Sequence, residues 1–212
     1  MGLSNITNEE IFRCKLKLIS LMTAAFVTIL LSFGQTGWAD YITCDPNILE
    51  CNGTPGDDVI LANAGSDKII HGLEGNDFIQ SNVSSVIFGD EGSDILIGST
   101  YNDVLNGGIG NDGYDGRSGD DTILEPDVRV VGPFAPNSDF VSGGAGNDYI
   151  SSGYGFDRIN GGPGDDVMIP SGNVRDFNTD RVDCGAGLDY ALIYSNDGDI
   201  TFNCETVADV DQ

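Results

Sequence analysis

The chain has 212 residues, 30 of them glycine, and its 34 acidic side chains outnumber nine basic ones to give a net charge of −25. A charge of that size repels nucleic acid and anionic membrane surfaces, and it opposes compaction through self-repulsion. Two states are compatible with it: an acidic disordered polymer, or a fold whose charge is neutralised by bound cations.

Residues 1–39 read as a leader rather than as fold. Arg13, Lys15 and Lys17 precede an apolar run from Leu18 to Phe33, and Gly37-Trp38-Ala39 places small residues at −3 and −1 of a cut after Ala39. The run is about 16 residues, short of the roughly 20 needed to span a bilayer. The expectation is therefore a secretory signal peptide; an uncleaved anchor is the alternative and the only expected route to a membrane. Cleavage removes Cys14 and leaves an even set: Cys44, Cys51, Cys184 and Cys204. Four cysteines in an exported chain point to disulfides. Cleavage also takes Glu9, Glu10 and three bases, which makes the net charge one unit more negative.

Residues 40–52 form a short N-terminal cap with Cys44 and Cys51, and a repeat region follows over 53–192. There the acids recur instead of clustering. Aspartates stand at 58, 67, 77, 94, 103, 112, 121, 139, 148, 157, 166, 180 and 189, mostly 9 or 18 residues apart. Steps of 10 and 17 flank Asp77 and sum to 27, so the register holds from Asp58 to Asp166. Two residues before the aspartate comes Gly56, Gly65, Gly75, Gly92, Gly110, Gly119, Gly146, Gly155, Gly164 or Gly187, with Asn137 and Asn178 in two further slots. Two residues after it comes Ile60, Ile69, Ile79, Leu96, Leu105, Tyr114, Ile123, Val141, Ile150, Ile159, Met168, Val182 or Ala191. The unit is a turn of about six residues and a three-residue strand whose middle side chain points inward, as period-2 geometry requires. Glycine supplies the positive φ of the turns, and this much glycine excludes helix.

The segments GGIGNDGYD (107–115), GRSGDDTIL (116–124), GGAGNDYIS (143–151) and GGPGDDVMI (161–169) resemble the hemolysin-type calcium-binding repeat, the RTX nonapeptide GGxGxDxUx. The resemblance implies an all-β fold: a parallel β-roll, a right-handed β-helix or solenoid, with two nonapeptides per coil. It implies several calcium ions held in the turns between successive coils, where carboxylates and turn carbonyls meet calcium's need for six to eight oxygens. The implied ligands are Asp58, Asp77, Asp94, Asp103, Asp112, Asp121, Asp139, Asp148, Asp157 and Asp166. The turn glycines Gly56, Gly75, Gly92, Gly110, Gly119, Gly146, Gly155 and Gly164 bring the backbone close to the ion.

With partners 18 residues apart, one edge is expected to hold Asp58, Asp77, Asp94 and Asp112, then Val130, then Asp148 and Asp166. The other is expected to hold Asp67, then Ser85, then Asp103, Asp121, Asp139 and Asp157. On this count Asp121 has neighbours on both sides, Asp103 and Asp139, whereas Asp112 has only Asp94. The stretch LEPDVRVVGPFAPNS (124–138) is expected to be a degenerate coil in register, because Asp121 and Asp139 are 18 apart. Asp57, Asp120 and Asp165 fill the variable slot before the ligand and read as turn-favouring polar residues. One inward residue per strand makes a thin core, so folding is expected to need the metal.

Residues 193–212 form a C-terminal cap with Cys204. Terminal coils of a solenoid expose their core and need caps. Sequential pairing, Cys44–Cys51 and Cys184–Cys204, is expected, although four cysteines allow three pairings. No enzyme is expected. His71, the one histidine, reads as a turn residue, and no HExxH, P-loop or GxSxG occurs. The sequence thus points to a secreted or cell-surface calcium-binding protein with no nucleic-acid partner. The alternatives are an adhesin or matrix component that displays the roll to a glycan or protein, and a β-helix enzyme acting on anionic polysaccharide. Six scattered bases outside the leader argue against the groove the enzyme needs.

Overall fold

A computed structural model describes residues 39–125, 137–170, 177–194 and 197–210. The expected signal peptide through residue 38, and Val130 with its neighbours, lie outside the described residues. Strands of three to seven residues alternate between two sheets, and every strand pair is parallel. One sheet stacks β1 (Tyr41–Thr43), β3 (Val59–Ala62), β5 (Phe78–Ser81), β7 (Ile95–Ile97), β9 (Gly113–Asp115), β11 (Phe140–Ser142), β13 (Arg158–Pro163), β15 (Arg181–Ala186) and β17 (Ile200–Phe202). The other stacks β2 (Glu50–Asn52), β4 (Lys68–Glu74), β6 (Ser85–Glu91), β8 (Val104–Ile109), β10 (Thr122–Leu124), β12 (Tyr149–Ser151), β14 (Val167–Ile169), β16 (Tyr190–Ile193) and β18 (Thr206–Asp209). Each coil lays one strand in each sheet, so the fold is the β-solenoid that the repeat implies. Residues 40–52 and 200–209 add their own strands at the two ends.

Side chains alternate between core and solvent, as a pleated strand demands. The first sheet's inward row is Ile42, Ile60, Ile79, Leu96, Tyr114, Val141, Ile159, Val182 and Thr201. The second sheet's is Cys51, Ile70, Ile87, Leu105, Ile123, Ile150, Met168 and Ala191; Val207, paired with Ala191, is exposed. Residues from Ile60 to Ala191 in these rows are almost wholly buried. The disulfides Cys44–Cys51 and Cys184–Cys204 form as expected, with Cα separations of 5.5 and 5.1 Å.

The turns stack as tightly as the strands. Gly75 and Gly146 have φ of 127° and 141°. A Cβ on either would overlap the backbone of the glycine one coil before it, Gly56 or Gly119. Glycine is required there for both reasons.

The structure corrects three expectations. The core residue of β4 is Ile70, not Ile69. The step from Asp58 to Asp77 carries one extra residue, which puts Lys68 rather than Asp67 opposite Ser85. Asp67 is exposed. His71 lies in β4, not in a turn; it stacks on Phe88 with ring centroids 4.6 Å apart, and its Nδ1 is 3.1 Å from Asp90 Oδ2.

The third correction is larger. Of the stretch 124–138, residues 126–136 lie outside the described residues, and the strands on either side of them do not keep the expected register. Across them Gly113 pairs with Phe140 and Thr122 with Tyr149, offsets of 27 instead of 18. The extra nine residues amount to half a coil. Half a coil preserves the period of nine but exchanges the two edges for everything downstream.

Candidate metal centre

Each turn ends in an aspartate that leads into a strand, and the stacked turns line these aspartates up along two edges. On the first edge each amide donates to Oδ1 of the aspartate one coil on: Asp40 to Asp58, Asp58 to Asp77, Asp77 to Asp94, Asp94 to Asp112, Asp112 to Asp139, Asp139 to Asp157, Asp157 to Asp180 and Asp180 to Asp199. The second edge runs Ser85, Asp103, Asp121, Asp148, Asp166, Asp189 and Glu205 by the same donation, at 2.6–2.9 Å. The 18-residue count therefore misassigned four residues. Asp139 and Asp157 belong with Asp112, and Asp148 and Asp166 with Asp121. Asp112 has neighbours on both sides, Asp94 and Asp139. The neighbours of Asp121 are Asp103 and Asp148.

These bonds nearly exhaust each aspartate. Asp77 Oδ1 accepts from Asp58, its amide donates to Asp94, and its carbonyl accepts from Ile95 at 2.8 Å. Oδ2 is left over. It is buried without a hydrogen-bond partner in Asp77, Asp94, Asp112, Asp139 and Asp157 on the first edge, and in Asp121, Asp148, Asp166 and Asp189 on the second. Asp58 and Asp103 differ. Thr54 donates its amide to Asp58 Oδ2 at 2.6 Å, and Ser99 donates both amide and hydroxyl to Asp103 Oδ2 at 2.6 and 2.8 Å.

A second glycine, five residues before the aspartate, completes the cradle. A Cβ on Gly72 would overlap both Asp77 Oδ2 and the carbonyl of Gly89, its counterpart one coil on. Gly89, Gly116, Gly143 and Gly161 repeat this against Asp94, Asp121, Asp148 and Asp166. The missing side chain leaves room beside a bare carboxylate oxygen and a backbone carbonyl. No three acidic, cysteine or histidine side chains converge on one point among the described residues, so a cation here must draw further oxygens from the backbone. Hard oxygen donors of this mixed kind suit calcium.

Electrostatics bear this out. Burial pushes Asp77, Asp94, Asp121 and Asp139 up to about 7, and Asp112 and Asp166 to about 6. The amide from the preceding coil pulls each back, and neighbouring carboxylates add to the rise in all of them but Asp112. Burial, then Asp180 and Asp139, push Asp157 to about 9. Glu125 rises to about 10, through burial first and then the charges of Asp139 and Asp112. A bound cation relieves both causes at once.

The second edge starts differently. Lys68 occupies the slot one coil before Ser85 and is 1% exposed. Its Nζ donates to the carbonyls of Asp45, at 2.8 Å, and Ile48. The chain's own ammonium thus sits where later coils place a carboxylate.

Counting by nine found the interior aspartates but missed the ends of the rows. Asp40 lies 18 residues before Asp58, a signal present in the sequence. Asp199 and Glu205 follow steps of 19 and 16, which the period does not announce. The variable slot also has a role that sequence did not reveal. Asp57 Oδ1 accepts from the Asn76 amide, Asn76 Oδ1 from Ser93, Asp120 Oδ1 from Asn147 and Asn147 Oδ1 from Asp165. This exposed ladder runs outside the buried one.

Two parallel sheets flanked by two rows of buried, half-satisfied carboxylates define a metal-binding β-solenoid repeat protein. The family of the RTX calcium-binding nonapeptide repeat matches in four copies, over residues 52–82, 88–123 and 136–170. The chain carries this hemolysin-type repeat and is a calcium-binding repeat protein. No curated protein matches the chain.

Proposed function

We propose that this is a secreted, non-enzymatic protein whose two aspartate rows bind calcium between successive coils, and that the roll folds when they do. The observation that carries the reading is the set of buried Oδ2 atoms without partners, with a glycine cradle beside those of Asp77, Asp94, Asp112, Asp121, Asp148 and Asp166. A carboxylate with its second oxygen bare and buried is unfavourable unless a cation meets it. The glycines Gly56, Gly75, Gly92, Gly110, Gly119, Gly146, Gly155 and Gly164 keep the coils close enough for an ion to bridge them. Asp58 and Asp103, already served by Thr54 and Ser99, contribute least. The leader and the even set of cysteines fit an oxidising compartment outside the cell, where millimolar calcium suits sites of roughly 10⁻⁴–10⁻³ M. Calcium when bound supplies positive charge and accepts oxygens; the residues supply the spacing, the close backbone approach and the exclusion of water.

Far-UV circular dichroism tests this. The calcium-stripped full chain is expected to be largely unordered at pH 7.5 and to become β-rich in millimolar calcium. A full β spectrum in the stripped chain, unchanged by calcium, refutes coupled folding.

A second reading, an adhesin or matrix component, draws on one surface. Tyr41, Ile95, Phe140 and Ile200 are exposed on the first sheet, and Arg158 and Arg181 lie over Phe140 and Phe202 at 5.4 and 4.5 Å. These two bases on a strongly acidic protein suit an anionic glycan or protein. Retention of the calcium-loaded chain on an immobilised uronate polymer, lost in R158A/R181A, supports this reading; equal retention of wild type and variant removes it. Turnover of the same polymer separately tests the enzyme alternative.

A further inference from the structure

On the first edge the cradle seat is glycine in four coils: Gly53, Gly72, Gly89 and Gly107. The next seat in the row is Glu125. Its place follows from the pairing of Thr122 with Val104 and of Leu124 with Ser151. It follows also from its amide, which donates to Ser151 at 2.8 Å as the Gly53 amide donates to His71 at 2.7 Å. The aspartate of this turn is Asp139. A side chain on a cradle seat starts out against the bare oxygen of its own aspartate, so Glu125 enters the rung of Asp139.

Glu125 is 5% exposed; by distance and angle neither of its carboxylate oxygens has a hydrogen-bond partner among the described residues, and the one neighbour that offsets its burial is the neutral side chain of Asn137. Asp139 Oδ2 has none either. The two acids therefore do not hold each other through a shared proton. The charges that act on Glu125 most strongly are those of Asp139 and Asp112, and both are negative. An acid in a seat that is glycine in the four coils before it, buried among acids with only the neutral Asn137 side chain to offset them among the described residues, lacks one component: a cation.

We propose that Glu125 is a calcium ligand and that it pairs with Asp139 to make this rung a two-carboxylate site, the tightest on the first edge. The inference rests on the reading that the rows bind calcium. A site's affinity rises with the number of charged oxygens it offers, and the glycine seats offer none. The departure from glycine is then a gain of ligand instead of a defect in the repeat.

Chelator-competition calcium titration of the full chain with its disulfides formed tests this. Wild type is expected to show one step at least about tenfold tighter than the rest. Glu125→Gln and Glu125→Gly, the second of which restores the residue of the other seats, are expected to lose that step and keep the weaker ones. Glu74→Gln, the same charge change on an exposed residue, is expected to keep it. If wild type binds several ions but the Glu125 variants give the same isotherm or bind more tightly, the Glu125 site is refuted and the rows stand. If wild type binds no calcium, both fall.

Discussion

Protons should substitute for calcium. The calcium-stripped chain is expected to fold as pH is lowered from 8 to 4. The rows contain carboxylates whose folded-state values are raised from 3.8 to about 6 for Asp112 and Asp166, and to about 7 for Asp77, Asp94, Asp121 and Asp139. Between the unfolded and folded values the folded roll binds more protons than the unfolded chain. Stability therefore falls as pH rises through that window, and the loss is complete above the folded values. A rise of about two units is worth about 3 kcal/mol. Two or three such groups rival the roughly 5–15 kcal/mol that holds a typical domain together, and the rows contain more. At pH 7.5 without metal the roll should then be unfolded; near pH 4 its carboxylates are neutral and the penalty disappears. Circular dichroism at 218 nm, about where β-structure absorbs, read against pH with and without calcium, is the assay. Calcium should extend the folded range to pH 8. A stripped chain that is β-rich at pH 7.5 and loses structure on acidification reverses the sign and refutes the reasoning.

Three further outcomes follow from particular residues. Asp112→Asn and Asp121→Asn should weaken calcium binding equally, within about a factor of three, because each has carboxylates on both sides; a much milder Asp112 variant in the same titration would contradict the 27-residue register. Ser99→Gly removes the hydroxyl from Asp103 Oδ2 but leaves the amide, so the number of calcium ions bound per chain, counted by equilibrium dialysis, should stay as in wild type; a count raised by one speaks against the role assigned to the Ser99 amide. Lys68→Met removes the ammonium from the carbonyls of Ile48 and Asp45, leaving Asp45 only the Ile48 amide, and should destabilise the first coils by about 1–3 kcal/mol. Hydrogen exchange localised to residues 41–62 would show it, and protection equal to wild type would exclude it.

What could be read from the sequence was local. A turn rich in glycine, an aspartate every nine residues and one inward apolar side chain two residues later follow from single-coil geometry. Ile60, Leu105, Ile123 and Met168 are where that rule puts them. The cysteines flank the repeats, and of the three pairings they allow the expected sequential one forms. The reading failed wherever one coil had to be aligned with the next. Asp67 has the motif's spacing from Asp58, yet it is exposed, because one extra residue in that coil hands its slot to Lys68.

The sequence by itself determined the period, the ligand type and the strands, because each is set within nine residues by φ, side-chain alternation and carboxylate chemistry. The tertiary structure alone decided which aspartates are neighbours. An insertion of nine residues after Glu125 leaves the spacing intact and swaps the edges, so Asp139 stacks on Asp112 and Asp148 on Asp121. It also decided which oxygen of each carboxylate is used and which is bare, and it placed Glu125 in a glycine's seat. Those are properties of the stack. They depend on a distance between coils that no single repeat contains.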